Sequence, residues 1–317
     1  GALSNVMSGE DASRIAHQFC EDLGTEVNAD ALCGLTAGQL VTAQGMTKGA
    51  LAFQPCIDGE LVRLSPLDAL ACNDIDLGSK CVILGTNLEE FNLFSPPRVL
   101  NARKRLGMVV KRLAAWVGPS RMASAKDEQE KQVLEDELRQ LLKHVRSEQS
   151  ALSWSDLENM LCSELVFHAP ARLAAEKLTA VVQRVYVYSF RFGAGRLGAA
   201  HGMELPLLFG THKHHWLLSE LTGARVEPAA ADKVSRALMS SFASFARCGV
   251  PTLPTPVLPG PQPPLWPEYT HGSARLTFVF DEDCRVVAET ESALGKAASA
   301  LLDKASRPFG FKPVAKL

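Results

Sequence analysis

Apolar residues recur at helical spacing through Ile15, Ala16, Phe19 and Leu23, and Gly24 suits the stop, so residues 9–24 are predicted as an amphipathic helix. Between residues 29 and 43 the pattern fits two short helices, broken at Gly34 and Gly38. Residues 53–59 are turn-rich, with Asp58-Gly59 as the turn signal. The period then changes. Cys81-Val82-Ile83-Leu84 is wholly apolar and runs into Gly85-Thr86-Asn87, which predicts a strand buried on both faces of a mostly parallel sheet. Glu89 and Glu90 fall just past the C-terminal end of that strand, where open α/β sheets build their sites.

Residues 96–161 read as helical. Leu134, Leu138, Leu141, Leu142 and Val145 form one face of residues 126–149, and Glu, Lys and Arg cover the rest. The stripe suits an amphipathic surface helix of a cap region. Its length, roughly two to three heptads, also admits a partner-binding or coiled-coil helix. Residues 185–192, rich in β-branched and aromatic side chains, predict a strand. A loop containing Gly193, Gly195 and Gly198 leads from it to His201. Residues 234–247 are predicted helical, with Leu238, Phe242 and Phe245 on one face and Gly249 and Pro251 as the stop. A proline-rich coil follows over 252–267. Residues 275–280 alternate as a half-buried strand, 284–288 suit its hairpin partner, and a last helix covers 294–302. Strands alternating with helical blocks argue for an α/β class with an antiparallel hairpin near the C-terminus.

With 317 residues, 46% of them hydrophobic, the chain can bury a sizeable core. A net charge of -2 and a pI near 6.5 give no electrostatic footprint for nucleic acid. The basic stretch 103–112 is accordingly read as a helix face. The apolar runs fall short of a membrane span. Residues 1–5 lack the basic and apolar regions of a signal peptide, which in a fragment says nothing about secretion. The eight cysteines form no Cys-x-x-Cys pair, which argues against a zinc ribbon or a thioredoxin-like motif. Cys56, Cys81 and Cys162 lie in apolar runs and read as small core hydrophobes. Cys20 and Cys33 flank a short segment and could bridge.

Several segments lie in an order that resembles the C-terminal portion of the type B carboxylesterases, the cholinesterase-like serine hydrolases. They include the turn at 53–59, followed by Glu60-Leu61 and Pro66, and Leu84-Gly85-Thr86-Asn87-Leu88-Glu89-Glu90-Phe91. Phe167-His168-Ala169-Pro170-Ala171 with Ala174, and Tyr186-Val187-Tyr188-Ser189-Phe190, come next. Ala199-Ala200-His201-Gly202-Met203-Glu204 is similar to the family's histidine loop. Phe245-Ala246-Arg247 through Pro251, and Trp266-Pro267-Glu268-Tyr269, complete the set. Gly1 falls where members carry a Ser-Gly pair on the strand after the nucleophile helix. No Gly-x-Ser-x-Gly occurs among the 317 residues.

The resemblance implies an α/β-hydrolase fold, with residues 1–317 as a single partial domain and a helical cap-like insertion over about 96–161. The sheet would be its mostly parallel C-terminal part, ending in the antiparallel hairpin. It implies a carboxylic ester hydrolase working through an acyl-enzyme on a small-molecule ester, without a cofactor or metal. Retention of acid and histidine favours an active full-length enzyme. The serine would come from elsewhere, for example an N-terminal companion segment. A different reading is a non-catalytic, cholinesterase-like interaction module or a degenerate fragment. In the hydrolase, His201 is the expected base and Glu90 the expected acid, with Glu89 as fallback. Where members have Asp-Glu-Gly, this chain has Glu89-Glu90-Phe91; a positive φ at that point would strain a phenylalanine. Taken alone, His201 reads as a loop or core histidine and Glu90 as a solvated loop acid. Glu204 would brace the histidine loop or form a surface salt bridge. Adjacent histidines point apart, so His212-Lys213-His214-His215 reads as a solvated turn. Trp216-Leu217-Leu218 behind it would be core or pocket wall.

Overall fold

A computed structural model describes residues 6–46, 53–71, 77–94, 109–111, 113–114, 128–193, 197–214, 227–254, 265–270, 275–289 and 291–305. The basic stretch at 103–108 and 112, Trp216-Leu217-Leu218, His215, Gly1 and most of the proline-rich coil lie outside them.

The chain opens with a short strand β1 (Met7–Ser8) and helix α1 (Gly9–Leu23). Ser8 caps α1 by accepting the Asp11 N–H at 3.1 Å, and Gly24 ends it with φ 66°. Helix α2 (Ala29–Cys33) stops at Gly34 as expected, whereas Gly38 lies inside α3 (Ala37–Met46). A single glycine costs a helix only about 1 kcal/mol, too little to break it where flanking residues favour helix. Strand β2 (Cys56–Ile57) pairs in parallel with β1. Cys20 and Cys33 are free thiols, the first buried and the second exposed.

The main sheet has the order β3-β4-β5-β6. Strand β3 covers Leu77–Asn87, β4 Val182–Phe190, β5 Arg275–Phe280 and β6 Arg285–Glu289. The first two pairings are parallel and the last is the antiparallel hairpin. Here β3 departs from expectation. It continues through Gly85 to Asn87, and Cys81, Val82, Ile83 and Leu84 are only half-buried. The reason is position: among the described residues β3 pairs with β4 alone and forms an edge of the sheet. Gly85 is needed inside the strand because a Cβ there would stand 1.9 Å from the Tyr188 ring across the ladder.

Helices cover both faces, as parallel strands require. On one side, Tyr186, Phe190, Phe278 and Phe280 pack with Trp266 and with Val234 and Leu238 of the long helix at Pro228–Cys248. On the other side, Val185, Val82 and Leu84 meet residues of three helices: Glu128–Glu148, Ala169–Leu178 and Ala293–Ala305. The expected stripe Leu134, Leu138, Leu141, Leu142 and Val145 is buried in this second core, each side chain at 9% exposure or less. It is therefore not free to receive a partner. Helix Trp154–Ser163 continues through a π turn at Glu164–His168 into Ala169–Leu178.

Candidate active site

Two chain segments meet beyond the C-terminal ends of β3 and β4. Leu88-Glu89-Glu90 leaves β3, and the 197–204 loop returns after β4. They are zipped by backbone bonds. The Glu89 N–H donates to the Ala199 carbonyl at 3.0 Å, and the His201 N–H to the Glu90 carbonyl at 3.2 Å. Glu89 Oε2 also accepts the Ala199 N–H at 2.8 Å, and its carboxylate occupies the space that a Cβ on Gly198 (φ 57°) would need. Glu89 is thereby committed to the turn before the histidine, while the ring's carboxylate partner is Glu90.

Glu90 begins a 3₁₀ turn, Glu90–Phe94, and is buried at 4% exposure. One carboxylate oxygen, Oε1, accepts the Asn87 N–H at 2.8 Å. The other, Oε2, lies 2.7 Å from His201 Nδ1. An ionised carboxylate only accepts, so the contact places the imidazole proton on Nδ1 and leaves the Nε2 lone pair free. Nε2 has no hydrogen-bond partner among the described residues, and 47% of the His201 side chain is exposed. A buried acid behind and an open nitrogen in front is the arrangement a general base needs. The ring is flanked by Phe167, 5.0 Å away between centroids, and Phe94 at 5.5 Å.

Phe91 introduces no strain. It lies within the 3₁₀ turn, whose φ values are negative, and its ring is buried at 1% exposure. Its N–H donates to Ser163 Oγ at 3.0 Å. Among the described residues Glu204 has no salt-bridge partner. Its Oε2 accepts Asn87 Nδ2 at 2.5 Å, across the gap between β3 and the histidine loop. His212 is not solvated either: Nε2 lies 2.8 Å from Asp232 Oδ1, with 9% of the side chain exposed. Lys213 joins the same carboxylate at 3.1 Å. The hydrogen bond from His212 and then that from Lys213 hold the Asp232 carboxyl below its ordinary value. Among the described residues no group of His, Cys, Asp and Glu could hold a metal ion, and no helix is long and apolar enough to cross a membrane.

Two polar side chains near the site carry no role in the sequence reading. Asn87 was visible only as the end of a Gly-Thr-Asn sequence, and His168 only as the spacer in Phe-x-x-Pro. A polar residue closing an apolar strand is the one signal that could have marked Asn87. His168 Nε2 lies 2.9 Å from the Asn87 carbonyl and Nδ1 3.3 Å from Glu164 Oε2. Burial opposes charging of both groups. Burial is the largest single influence on each, yet the other influences together outweigh it: the hydrogen bond and charge of Glu164, with the Asn87 carbonyl and the Glu90 charge, raise His168, and the hydrogen bonds and charges of His168 and Arg172 lower Glu164. A cleft of about 490 Å³ runs beneath, lined by Glu164, His168, Arg172, Arg191 and Arg275 among others. His201 does not line it, so this cleft is not where an ester meets the base.

Among solved structures, the fold matches a thermophilic PNB esterase with TM-score 0.66 and 20% identity, over 93% of this chain and 55% of that one. A second PNB esterase aligns with TM-score 0.63 at 21% identity, over 93% and 56%. A carboxylesterase of Geobacillus stearothermophilus aligns with TM-score 0.64 at 19% identity, over 92% and 54%. These likenesses establish an α/β-hydrolase fold, and the chain spans about half the length of the structures it matches. Residues 1–293 match the carboxylesterase family directly. Sheet order, the site beyond the strand ends and this match lead to one conclusion: the chain belongs to the carboxylesterase family.

Proposed function

We propose that this chain supplies the acid and the base of a serine carboxylic ester hydrolase, with Glu90 as acid and His201 as base. The observation that carries the reading is the 2.7 Å contact between Glu90 Oε2 and His201 Nδ1, on an imidazole whose side chain is 47% exposed. Nε2 takes the proton of a serine hydroxyl as its oxygen attacks the ester carbonyl. The oxyanion is held by backbone N–H donors, and collapse expels the alcohol with the proton returned from Nε2. Water then repeats the cycle on the acyl-enzyme. Glu90 fixes the tautomer and stabilises the imidazolium. Glu204 braces the histidine loop through Asn87. Glu89, bound to Ala199, holds the turn ahead of it and does not serve as the acid.

The serine comes from a companion segment that carries a nucleophile elbow, and residues 1–317 form one partial domain in which an insertion over about 96–161 acts as a cap. The substrate is a small carboxylic ester with a short or medium acyl chain. The test uses the protein isolated from its native source, with its intact mass and N-terminal sequence determined. Hydrolysis of p-nitrophenyl butyrate and labelling by a fluorophosphonate are then measured on it. The expected result is hydrolysis that is lost in His201→Ala, with the label on a serine outside these 317 residues. A native product that carries only these residues and shows neither property overturns the reading in favour of a non-catalytic module.

A further inference from the structure

Asn87 ends β3 and is 2% exposed, yet its polar groups reach three different elements. Its backbone N–H holds Glu90 Oε1 at 2.8 Å, which leaves Oε2 for the imidazole. Its side-chain Nδ2 donates to the Ala200 carbonyl at 2.7 Å and to Glu204 Oε2 at 2.5 Å, both on the histidine loop. Its carbonyl faces His168 Nε2 at 2.9 Å. His168 presents both ring nitrogens to acceptors, the second being Glu164 Oε2, an arrangement that favours the imidazolium. Glu164 is in turn paired with Arg172, which also faces Glu291. This chain of contacts ties the core to Asn87 from behind. Asn87 in front ties the acid to the residue immediately before His201. An exposed imidazole gains little orientation from packing alone, so such a tie decides its angle.

We propose that Asn87 is a positioning residue for the His201–Glu90 pair, holding the histidine loop against the acid with one side-chain amide. The proposal rests on the reading of that pair as base and acid. Substitution by leucine keeps the size and the backbone N–H to Glu90 but removes the amide donor. Both acceptors on the histidine loop then lose the amide, the Ala200 carbonyl keeping its bond from the Met203 N–H, while the Glu90 carboxylate stays in place.

The test is the ring ¹⁵N spectrum of His201 in the 317-residue chain, about two pH units above the ordinary imidazole value. The signal is assigned by its absence in His201→Gln. The wild type is expected to show the Nδ1–H tautomer. Asn87→Leu is expected to lose that preference and give a mixture of tautomers, and Glu204→Ala, which removes one of the two acceptors, an intermediate shift. Leu301→Ala, a core truncation on the last helix, should lower the melting temperature with the tautomer unchanged. A folded Asn87→Leu that keeps the Nδ1–H tautomer overturns the proposal. If Asn87→Leu does not fold, Glu204→Ala decides, and an unchanged tautomer there overturns it as well. Absence of the Nδ1–H tautomer in the wild type sinks the acid–base reading itself, which separates the two failures.

Discussion

Glu90 Oε2 and His201 Nδ1 stand 2.7 Å apart although 111 positions separate the two residues in the chain. The contact is made by two segments that leave adjacent parallel strands at the same end of the sheet, with Asn87 opposite Phe190 in the register. It sets a strict expectation for chemistry. In an assembled enzyme containing this chain, Glu90→Gln keeps the shape but offers an amide in place of the carboxylate. By analogy with triad-acid substitutions, kcat falls about 10⁴-fold. Glu89→Gln should leave kcat within about tenfold, because its carboxylate serves the Ala199 turn. Steady-state kinetics of the two variants side by side decide it, and equal losses would refute the assignment.

The exposed edge of β3 predicts the behaviour of the isolated 317 residues. Half-buried Cys81, Val82, Ile83 and Leu84 border a ladder with no partner strand among the described residues, which invites association with another chain. Purified alone, the chain should run as a dimer or larger species in light-scattering chromatography and should hydrolyse no ester. A stable monomer with a sharp cooperative melt contradicts the first point. Hydrolysis that disappears in His201→Ala contradicts the second.

The Glu164–His168 pair gives a pH dependence of stability. The raised His168 value means its contribution is complete below the ordinary imidazole value, about 6.5, and is lost as pH rises through the folded-state value. The lowered Glu164 value means its contribution is present above the ordinary carboxyl value and lost as pH falls through the folded one. The melting temperature of the chain should therefore fall on both the alkaline and the acid side. His168→Gln should flatten the alkaline limb. The same alkaline slope in both proteins would show that His168 has no part in it.

Gly85 and Tyr188 should behave as a coupled pair. An alanine at 85 puts its Cβ into the Tyr188 ring, an overpacking expected to cost about 1–3 kcal/mol in denaturant melts. Because Tyr188 also packs against Phe242, Trp266 and Phe280, it cannot simply swing away. In a Tyr188→Leu background the cost of Gly85→Ala should shrink by at least about 0.5 kcal/mol. Additive losses would mean that the ring is not the obstacle.

Leu138, fully buried on the Glu128–Glu148 helix, tests whether that helix belongs to the core. Leu138→Ala should destabilise the chain by about 2–5 kcal/mol, against about 0.5 kcal/mol or less for Val133→Ala on the half-exposed face. Comparable, small effects of both would restore the reading of the stripe as a docking surface.

Periodicity alone determined most of the elements. The helices at 9–23 and 228–248 end at Gly24 and Gly249, whose positive φ only glycine adopts freely, and that punctuation is written in the residues themselves. The run of motifs around Glu90, Phe167 and His201 likewise carried the family before any coordinates. The tertiary structure decided what depends on partners distant in the chain. An apolar run reads the same whether a strand has one neighbour or two, so the edge position of β3 was invisible. A glycine inside a strand reads as a stop until Tyr188 is seen lying over Gly85. Asn87, His168 and Glu204 are ordinary polar residues one at a time. Their meeting depends on strand register and on a π turn, long-range geometry that no local pattern encodes, because the hydrogen bonds that fix it join residues 81 to 117 positions apart.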